Sequence, residues 1–449
     1  MYITGFEITD VRCFAGTHKV LLDRGDGTYA GWTVFAGRNG AGKSTLLRAL
    51  AMSVVGHLTA QSLERSFVGW VRQGVDISNG NIVSQIEIDR VLDSSRVPHM
   101  PLRLESAAVH LTIVLRPGEA VGASASGGTG HILGGEELLG WREQPIKGWF
   151  IAGYGPFRHL GPPDAGTAKV MKDPVLGRLI NLFQESASLG EAVDWLKQVH
   201  LRALEGREGA AQLKTDALRL LGDGLLPDGS VVDGVDSDGL WVVRDGVRLP
   251  LESASDGYRT VAALVLDIAR NLQICYGRLS LQEDRGQVVC PLPGVVLIDE
   301  VDAHLHVEWQ QRIGFWLTEH FPKIQFLVTS HSPFVCQAAS PRGLIRLPAP
   351  GEDRRIEHVD DRVFKTVTRG DVTSAVMTEL FGLDRAHSPQ VERWRQEIAR
   401  LEGKLLKEGH LDDKELKERE DLLALLPDSL RDRAEIKLAG LMEALDAAD

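Results

Sequence analysis

The sequence predicts an α/β fold with parallel strands, and three apolar runs carry that prediction. Val295–Ile298 and Phe326–Thr329 are continuous apolar runs without alternation, which suits strands covered on both faces of a parallel sheet. Trp32–Ala36 is a third short run, and glycine-rich residues and then a helical pattern follow it. This order predicts a strand–loop–helix unit beside the two buried strands.

Local periodicity predicts the remaining elements. Strands are expected at Tyr2–Ile8, Lys19–Leu22, Ala107–Leu115 and Gly148–Ala152, and as a hairpin at Leu240–Val243 and Val247–Leu251 around Arg244-Asp245-Gly246. Helices are expected within residues 56–80 (followed by a loop) and 174–221, including Glu191–Leu204, and at Thr260–Leu272 and Val307–His320. The Gly/Ser/Ala-rich run Arg116–Gly135 predicts a loop.

The last sixty residues predict a charged helical tail. Ser388 and Pro389 suit an N-cap and a first helical position. The apolar residues that follow are spaced 3-4-3-4, namely Val391, Trp394, Ile398, Leu401 and Leu405. This spacing fits either a coiled-coil seam or a helix that packs on its own head. Two more helices are expected near Asp413–Leu426 and Ser429–Asp446.

Composition and charge exclude several classes of protein. The 449 residues are 43% hydrophobic and 25% charged, as in ordinary globular proteins. The net charge of -12 argues against a chain that coats nucleic acid, although a local basic groove remains possible. The four cysteines form no CxxC pair, which disfavours zinc and suits a reducing cytosol. With no leader pattern in Met1–Asp10 and no apolar run of spanning length, we expect a cytoplasmic protein without membrane contact.

A glycine-rich segment after the first apolar run predicts a phosphate-binding loop. It matches GxxxxGK[ST] and comprises Gly37, Arg38, Asn39, Gly40, Ala41, Gly42, Lys43, Ser44 and Thr45. Glycines let backbone N–H groups turn towards phosphates, and the following helix N-terminus adds a positive dipole. Lys43 is expected to reach the β- and γ-phosphates and Ser44 to hold Mg²⁺. The preceding strand and the following helix supply the context that a P-loop NTPase requires.

A second chemical signal is the acidic pair at the end of the apolar run Val295–Ile298. Asp299 and Glu300 would be costly at the end of a buried strand unless they serve a cation or a reaction. Downstream of a P-loop, Asp299 is expected to bind Mg²⁺, and Glu300 is expected to be the general base for the attacking water.

Several later segments resemble those of ABC-type ATPases. Ser255-Asp256-Gly257-Tyr258-Arg259 opens a predicted helix and resembles the ABC signature in the variant found in SMC and RecF relatives. Val301–His306 lies where that family has its D-loop, and Thr329–Pro333 lies where it has a switch histidine. Near the start, Val11–Phe14 resembles the family's NFRxF element. The resemblance covers roughly residues 1–385.

The resemblance implies an ABC-type ATPase head with an inserted helical lobe and a helical C-terminal tail, which uses ATP and Mg²⁺. Ser255 and Gly257 would then contact the γ-phosphate bound to the opposite subunit of a homodimer or higher oligomer. His331 would contact the same phosphate. Arg12 would engage the nucleotide, or else be an ordinary surface arginine; both remain open.

The sequence departs from the family in two places. The Q-loop glutamine is missing from Gly153–Arg158, and either Tyr154 or Arg158 could replace it. Residues 276–293 look like an insertion. The expected division is an N-terminal ATPase part (1–150), an insert lobe with the signature (151–293), a second ATPase part (294–386) and the tail (387–449).

Three functional hypotheses remain. The compact layout resembles RecF-like and OLD-like ATPases and, closest in outline, the Septu anti-phage ATPases typified by PtuA, whose partner is an HNH nuclease. The first hypothesis is therefore an ATP-gated regulator or sensor in anti-phage defence with a partner nuclease. The second is a RecF-like repair ATPase that binds DNA across its homodimer. The third is an interaction scaffold that holds ATP as a structural ligand.

Overall fold

The fold is known from a computed structural model that describes residues 1–55, 57–64, 67, 69–72, 80–87, 109–115, 150–226, 229–383, 385, 387–427 and 430–446. The predicted loop Arg116–Gly135 lies outside these residues, as do the first two positions of the expected strands Ala107–Leu115 and Gly148–Ala152. The chain forms two compact units, Met1–Ala375 and Val376–Asp449.

The strands and helices follow the chain in mixed order. The strands are β1 (Tyr2–Thr9), β2 (Thr17–Leu21), β3 (Gly31–Ala36), β4 (Gly80–Glu87), β5 (Val109–Leu115), β6 (Ile151–Tyr154), β7 (Val231–Val235), β8 (Leu240–Arg244), β9 (Val247–Pro250), β10 (Gln282–Asp284), β11 (Gln287–Val289), β12 (Gly294–Ile298), β13 (Ile324–Ser330), β14 (Leu344–Arg346) and β15 (Glu357–His358). The α-helices are α1 (Lys43–Val55), α2 (His57–Leu63), α3 (Ala165–Met171), α4 (Ile180–Phe183), α5 (Gly190–Leu204), α6 (Ala210–Gly222), α7 (Asp256–Tyr276), α8 (Val307–His320), α9 (Pro333–Gln337), α10 (Asp361–Arg369), α11 (Val372–Val376), α12 (Pro389–Glu408), α13 (Asp413–Ala424) and α14 (Leu430–Asp446).

The central sheet has the strand order β15-β14-β3-β13-β12-β6. Every pairing in it is parallel except the short β14–β15 pair. Every residue of β12 and β13 is buried, as their unbroken apolar runs predict. The α/β class with a central parallel sheet is therefore confirmed, and the carboxyl ends of β3, β6, β12 and β13 meet at one edge.

A second, antiparallel sheet has the order β2-β1-β4-β5. The Gln325 side chain of β13 fixes it to the central sheet, because its amide accepts from the Ile3 N–H and donates to the Ile3 carbonyl, both at 2.8 Å. Helix α1 shares one buried apolar cluster with both sheets. The sequence did not predict β4, since no strand is expected between residue 80 and Ala107.

The inserted region consists of helices and a small antiparallel sheet. Helices α3 to α6 precede the sheet β7-β8-β9, and the long helix α7 follows it. The predicted β8–β9 hairpin is confirmed, and its turn residues Asp245 and Gly246 both have positive φ, 50° and 77°. A type I′ turn requires this conformation at both central positions. Within residues 276–293, β10 and β11 form a two-stranded hairpin.

The second unit contains the three helices α12, α13 and α14. Ser388 caps α12 by accepting from the Val391 N–H, with Pro389 at the first position, as predicted. One buried cluster of this unit contains Ile398, Leu426 and Ile436, with Val391 and Trp394 packed against it. Part of the 3-4-3-4 seam thus packs inside the helical unit itself.

Candidate functional site

The predicted phosphate-binding loop joins β3 to α1. Gly40 and Gly42 have φ of 80° and 86°, a conformation that favours glycine. Lys43 is the first residue of α1, and only 7% of it is exposed. Its Nζ donates to the carbonyl oxygens of Gly37 at 3.0 Å and Arg38 at 3.1 Å. The loop therefore curls around the lysine that the P-loop motif assigns to phosphate.

One side of the loop packs against other parts of its own chain, while Arg38, Asn39 and Gly40 are exposed. A Cβ on Gly42 would lie 2.4 Å from Cys13 Sγ and 2.7 Å from the Phe14 ring. A Cβ on Gly37 would lie 3.2 Å from the Leu347 carbonyl oxygen. Close packing and backbone conformation thus both require glycine at position 42, whereas a Cβ at position 37 needs its neighbours to shift by a few tenths of an ångström.

Arg12 belongs to the segment that covers the loop. Its guanidinium lies 4.0 Å above the Trp70 ring, and its side chain is partly buried rather than an ordinary surface arginine. Burial lowers the pKa of Arg12, while the charge of Glu64 opposes that shift. A direct contact between Arg12 and nucleotide stays a prediction.

The acidic pair follows β12 directly. Asp299 is buried, and its Oδ1 accepts from Thr329 Oγ1 at 2.6 Å. The same Thr329 hydroxyl oxygen accepts from the Glu300 N–H at 2.7 Å. Thr329 is the second-to-last residue of β13, and its hydroxyl bonds to the Asp299 carboxylate and to the Glu300 backbone. The sequence did not predict this role, although Thr329 directly precedes Ser330 and His331.

The backbone of Glu300 has an unusual conformation. Its φ is 44°, in the left-handed region that non-glycine residues rarely adopt. Residues held in such regions cost about 1–3 kcal/mol and persist where the surroundings determine them. The side chain is only partly buried and extends from the edge where the parallel strands end.

Arg158 is buried beneath this turn, with 3% of it exposed. Its guanidinium donates to the carbonyl oxygens of Gly155 at 2.8 Å, Asp299 at 2.9 Å and Glu300 at 3.0 Å. Longer bonds reach Val301 and Ala303. Burial lowers the pKa of Arg158 to about 10, against the opposing charges of nearby carboxylates. The guanidinium therefore stays charged at neutral pH.

Neither expected substitute for the Q-loop glutamine turns towards the phosphate-binding loop. Tyr154 is buried, and its hydroxyl donates to Asp267 Oδ2 of α7 at 2.9 Å. Burial and the Asp267 charge raise the pKa of Tyr154 well above its usual value. Arg158 is committed to backbone carbonyls. The expectation that Tyr154 or Arg158 replaces the Q-loop glutamine is therefore corrected, because both side chains bond to buried groups of the protein.

His331 follows β13 at the same edge of the sheet and is exposed. Partial desolvation and the charge of Lys43 lower the pKa of His331, while Asp302, Glu300 and Asp299 oppose the shift. Burial lowers the pKa of Lys43, and Glu300, Asp299 and Asp302 again oppose it. Lys43, the acids and the histidine therefore share one electrostatic environment.

The predicted signature segment begins α7. Ser255 is its N-cap residue and is exposed, and its side chain makes no capping hydrogen bond. Gly257 lies in the first turn, where an added Cβ would be 3.3 Å from the His304 carbonyl oxygen. His304 itself has a φ of 64°. The signature thus touches the segment after the acidic pair and leaves its hydroxyl towards solvent.

The oxygen donors at the site suit a magnesium ion. Ser44 supplies a hydroxyl in the first turn of α1, and Asp299 supplies a carboxylate at the end of β12. Mg²⁺ prefers such hard oxygen ligands and usually keeps several waters beside one or two carboxylates. Among the described residues, no cluster of three His, Cys, Asp or Glu side chains forms a separate metal site.

Two wider properties of the chain bear on earlier expectations. All four cysteines are free thiols, and Cys275, Cys290 and Cys336 are buried. Burial raises the pKa of Cys290 to about 12. Over the part of the chain that the structure describes, no helix has both the length and the apolar character needed to cross a bilayer.

Two family models match the chain. A model described as "AAA domain" matches residues 6–120, which contain the phosphate-binding loop. A model described as "AAA domain, putative AbiEii toxin, Type IV TA system" matches residues 190–337, which contain the signature segment, the acidic pair and His331. The two matches together include the predicted nucleotide- and magnesium-binding residues, whereas Tyr154 and Arg158 lie between the matched ranges.

Curated relatives and a solved structure extend this comparison. The chain is 43% identical over 97 residues to the retron Ec83 probable ATPase of Escherichia coli, which is 22% of this chain and 17% of that protein. It is 29% identical over 141 residues to the Septu protein PtuA of Bacillus thuringiensis, or 31% of this chain and 33% of that protein. A crystal structure of the SmcHead bound to the C-winged helix domain of ScpA aligns with a TM-score of 0.48 and 14% identity, over 81% of this chain and 100% of that chain.

The curated relatives are thus matched over a third of their length or less. Residues 6–120 and 190–337, which match the two AAA-domain models, contain the P-loop motif and the acidic pair on an α/β fold. The chain therefore carries AAA-family ATPase domains and is related in sequence to the Septu PtuA and retron ATPases.

Proposed function

We propose that the chain binds ATP with Mg²⁺ at the carboxyl edge of its central sheet and hydrolyses it. One observation carries the proposal. The loop that holds Lys43, the pair Asp299 and Glu300, and His331 follow neighbouring strands of one parallel sheet and act on one another electrostatically. Ligands of open α/β sheets bind at this edge.

The residues divide the work as follows. Backbone N–H groups of the glycine-rich loop and Lys43 bind the β- and γ-phosphates. Ser44 and Asp299 hold Mg²⁺, which neutralises phosphate charge when it is bound. Thr329 keeps Asp299 oriented by its hydrogen bond to Oδ1.

Glu300 and His331 then act on the reacting groups. Glu300 is the general base that orients and deprotonates the attacking water. His331 contacts the γ-phosphate and steadies the charge that develops on it. Partial desolvation and the charge of Lys43 lower the pKa of His331, which favours the neutral ring before nucleotide binds.

Two copies of the chain complete each site. Ser255 and Gly257 of one copy close over the γ-phosphate on the P-loop of the other. Support comes from the exposed Ser255 hydroxyl, which its own helix does not use, and from the helix N-terminus behind it.

The proposed biological role rests on sequence similarity to named relatives and not on the geometry of the site. The relatives carry the names Septu protein PtuA and retron probable ATPase. On that support, this chain is a cytoplasmic ATP-gated regulator or sensor in prokaryotic anti-phage defence, with a partner nuclease of the HNH type. A RecF-like ATPase that binds DNA across its dimer is the alternative, and the test below discriminates between them.

Glu300→Gln tests the chemistry. The variant should keep ATP affinity and lose turnover by about 100-fold or more, as removal of a general base does. Steady-state hydrolysis and binding of a fluorescent ATP analogue would measure both. Turnover equal to wild type would instead identify a scaffold that holds ATP as a structural ligand.

Co-expression with neighbouring genes tests the biological role. The chain should retain an HNH nuclease on an affinity column, with a yield that depends on ATP. Salt-sensitive binding of the isolated chain to duplex DNA, together with no retained nuclease, would favour the repair alternative.

A further inference from the structure

We infer that Arg158 is a positioning residue for hydrolysis: its buried guanidinium holds the backbone turn that carries Glu300. This inference rests on the proposed ATPase function and deepens it. The turn comprises Asp299–Leu305, which follows β12, and Arg158 lies 142 positions before Glu300.

The hydrogen bonds of the turn divide into two sets. Its first three N–H groups bond to neighbouring strands: Asp299 donates to the Tyr154 carbonyl, Glu300 to Thr329 Oγ1, and Val301 to the Thr329 carbonyl. Within the turn, the Ala303 N–H donates to the Glu300 carbonyl. Its carbonyl oxygens at Asp299, Glu300, Val301 and Ala303 instead converge on the guanidinium of Arg158. One side chain thus satisfies most of the acceptors on one side of the turn.

Such a convergence needs a charged, branched donor. Carbonyl dipoles that point at one another repel, and a buried acceptor without a donor is costly. A guanidinium offers five N–H groups in a rigid plane, so it can bond several carbonyls in different directions. Lysine brings the same charge but a single nitrogen, which cannot reach the Gly155 and Ala303 carbonyls together.

The consequence concerns the orientation of the Glu300 side chain. The φ of Glu300 is 44°, a conformation that persists only while its surroundings determine it. Without the bonds from Arg158 the turn can relax, and Glu300 then moves away from the position of the attacking water. Lys43 and Ser44 belong to a different loop and stay in place, so ATP binding should be spared.

The chain offers a matched control. Arg24 is also buried, with 7% exposed, and its guanidinium also donates to backbone carbonyls, those of Ala30 and Tyr29. Burial lowers the pKa of Arg24 to about 10, as it does for Arg158. Arg24 precedes β3, at the opposite end from the P-loop, so its loss should affect folding without affecting hydrolysis.

The test compares Arg158→Lys with Arg24→Lys by melting temperature, ATP affinity and kcat per ATP-binding chain. Both variants should melt at lower temperature. Only Arg158→Lys should lose kcat, by about tenfold or more, with ATP affinity within about threefold of wild type. In a Glu300→Gln background, Arg158→Lys should cause no further loss in single-turnover rate, because Arg158 acts through Glu300.

The outcomes separate the two levels of the hypothesis. Wild-type kcat in Arg158→Lys, or equal losses in both backgrounds, would overturn the positioning role while the ATPase proposal stands. No hydrolysis by wild type above Lys43→Ala would overturn both. If Arg158→Lys does not fold, Arg158→Gln, which keeps two N–H donors without the buried charge, must give the same split between kcat and affinity.

Discussion

Helices α1 and α7 each begin at a glycine-containing turn, and the two turns differ in how their own chain packs around them. The turn before α1 is wedged against Cys13, Phe14 and Leu347, so that an added Cβ on Gly42 meets atoms within 3 Å. The turn at the start of α7 leaves Ser255 exposed, and a Cβ added at Gly257 would lie 3.3 Å from the His304 carbonyl oxygen. This contrast agrees with the proposal that the first turn binds nucleotide within one chain and that the second meets the nucleotide of another copy.

This difference assigns separate tasks to the two turns. The enclosed turn has the preorganisation that a resident phosphate site needs, since its donors are fixed before ligand binds. The exposed turn has donors at a helix N-terminus but no wall of its own. We therefore expect substitutions in the first turn to abolish nucleotide binding, and substitutions in the second to spare binding and stop turnover.

The largest expected effect is that of Lys43→Ala. Loss of the ammonium that meets the phosphates should remove measurable ATP binding and turnover. The chain should still fold, because relief of the ammonium desolvation offsets part of the loss of the Lys43 hydrogen bonds to the Gly37 and Arg38 carbonyls. Equilibrium binding of a fluorescent ATP analogue and a melting curve would check both. Retained binding would break the assignment of the first turn.

The next effect is that of Ser255→Arg, which places a bulky cation at the start of α7. Each chain should bind ATP as wild type does, while hydrolysis falls by about 100-fold because the second copy cannot close. The matched control is Ser253→Arg, two residues earlier and also exposed. Equal turnover in the two arginine variants would show that the second turn has no role in hydrolysis.

A smaller effect is the difference in stability and ATP affinity between the variants Gly42→Ala and Gly257→Ala. Gly42→Ala places a Cβ at a φ of 86° and against Cys13 and Phe14, so the variant should lose about 1–2 kcal/mol of stability or more, together with ATP affinity. Gly257 does not have a positive φ. In Gly257→Ala, the His304 carbonyl would need to shift by only a few tenths of an ångström to make room for the Cβ. Denaturant unfolding would measure both. Equal losses would contradict the contrast between the turns.

The smallest effect concerns pH. The pKa of His331 is lowered below its ordinary value of 6.5, so the unfolded chain binds this proton more readily than the folded one. Stability from this residue is therefore present above pH 6.5 and is lost as the pH falls through that region. The side chain is exposed, so the loss should be slight. As the pH falls from 7.5 to 5, the melting temperature of wild type should decrease relative to that of His331→Gln; parallel curves would contradict the shift.

The sequence predicted the parts of the site whose chemistry lies in consecutive residues. Gly37–Thr45 needs only a preceding strand and a following helix, and Asp299 and Glu300 need only the apolar run before them. Helix α8 begins and ends where the periodicity places it, at Val307–His320. Local patterns were sufficient to locate these residues because the strand and helix signals lie in the segments themselves.

The sequence could not predict contacts that join distant positions. Thr329 is 30 positions from Asp299, and Arg158 is 141 positions from it, so no spacing rule connects them. The position of Arg158 near the missing Q-loop glutamine suggested a contact with nucleotide. Its guanidinium instead donates to the backbone carbonyls of the turn that follows β12. Strand β4 was missed for a similar reason, since its pairing with β1 and β5 lies outside its own segment.

The most direct test of the two-chain site is the solution mass of Glu300→Gln with and without ATP, measured by light scattering after size exclusion. If the exposed turn of one copy closes on the nucleotide of another, ATP and Mg²⁺ should double the mass, and adding Ser255→Arg to the same chain should prevent the doubling. A mass that does not change with ATP, in both proteins, would contradict the account.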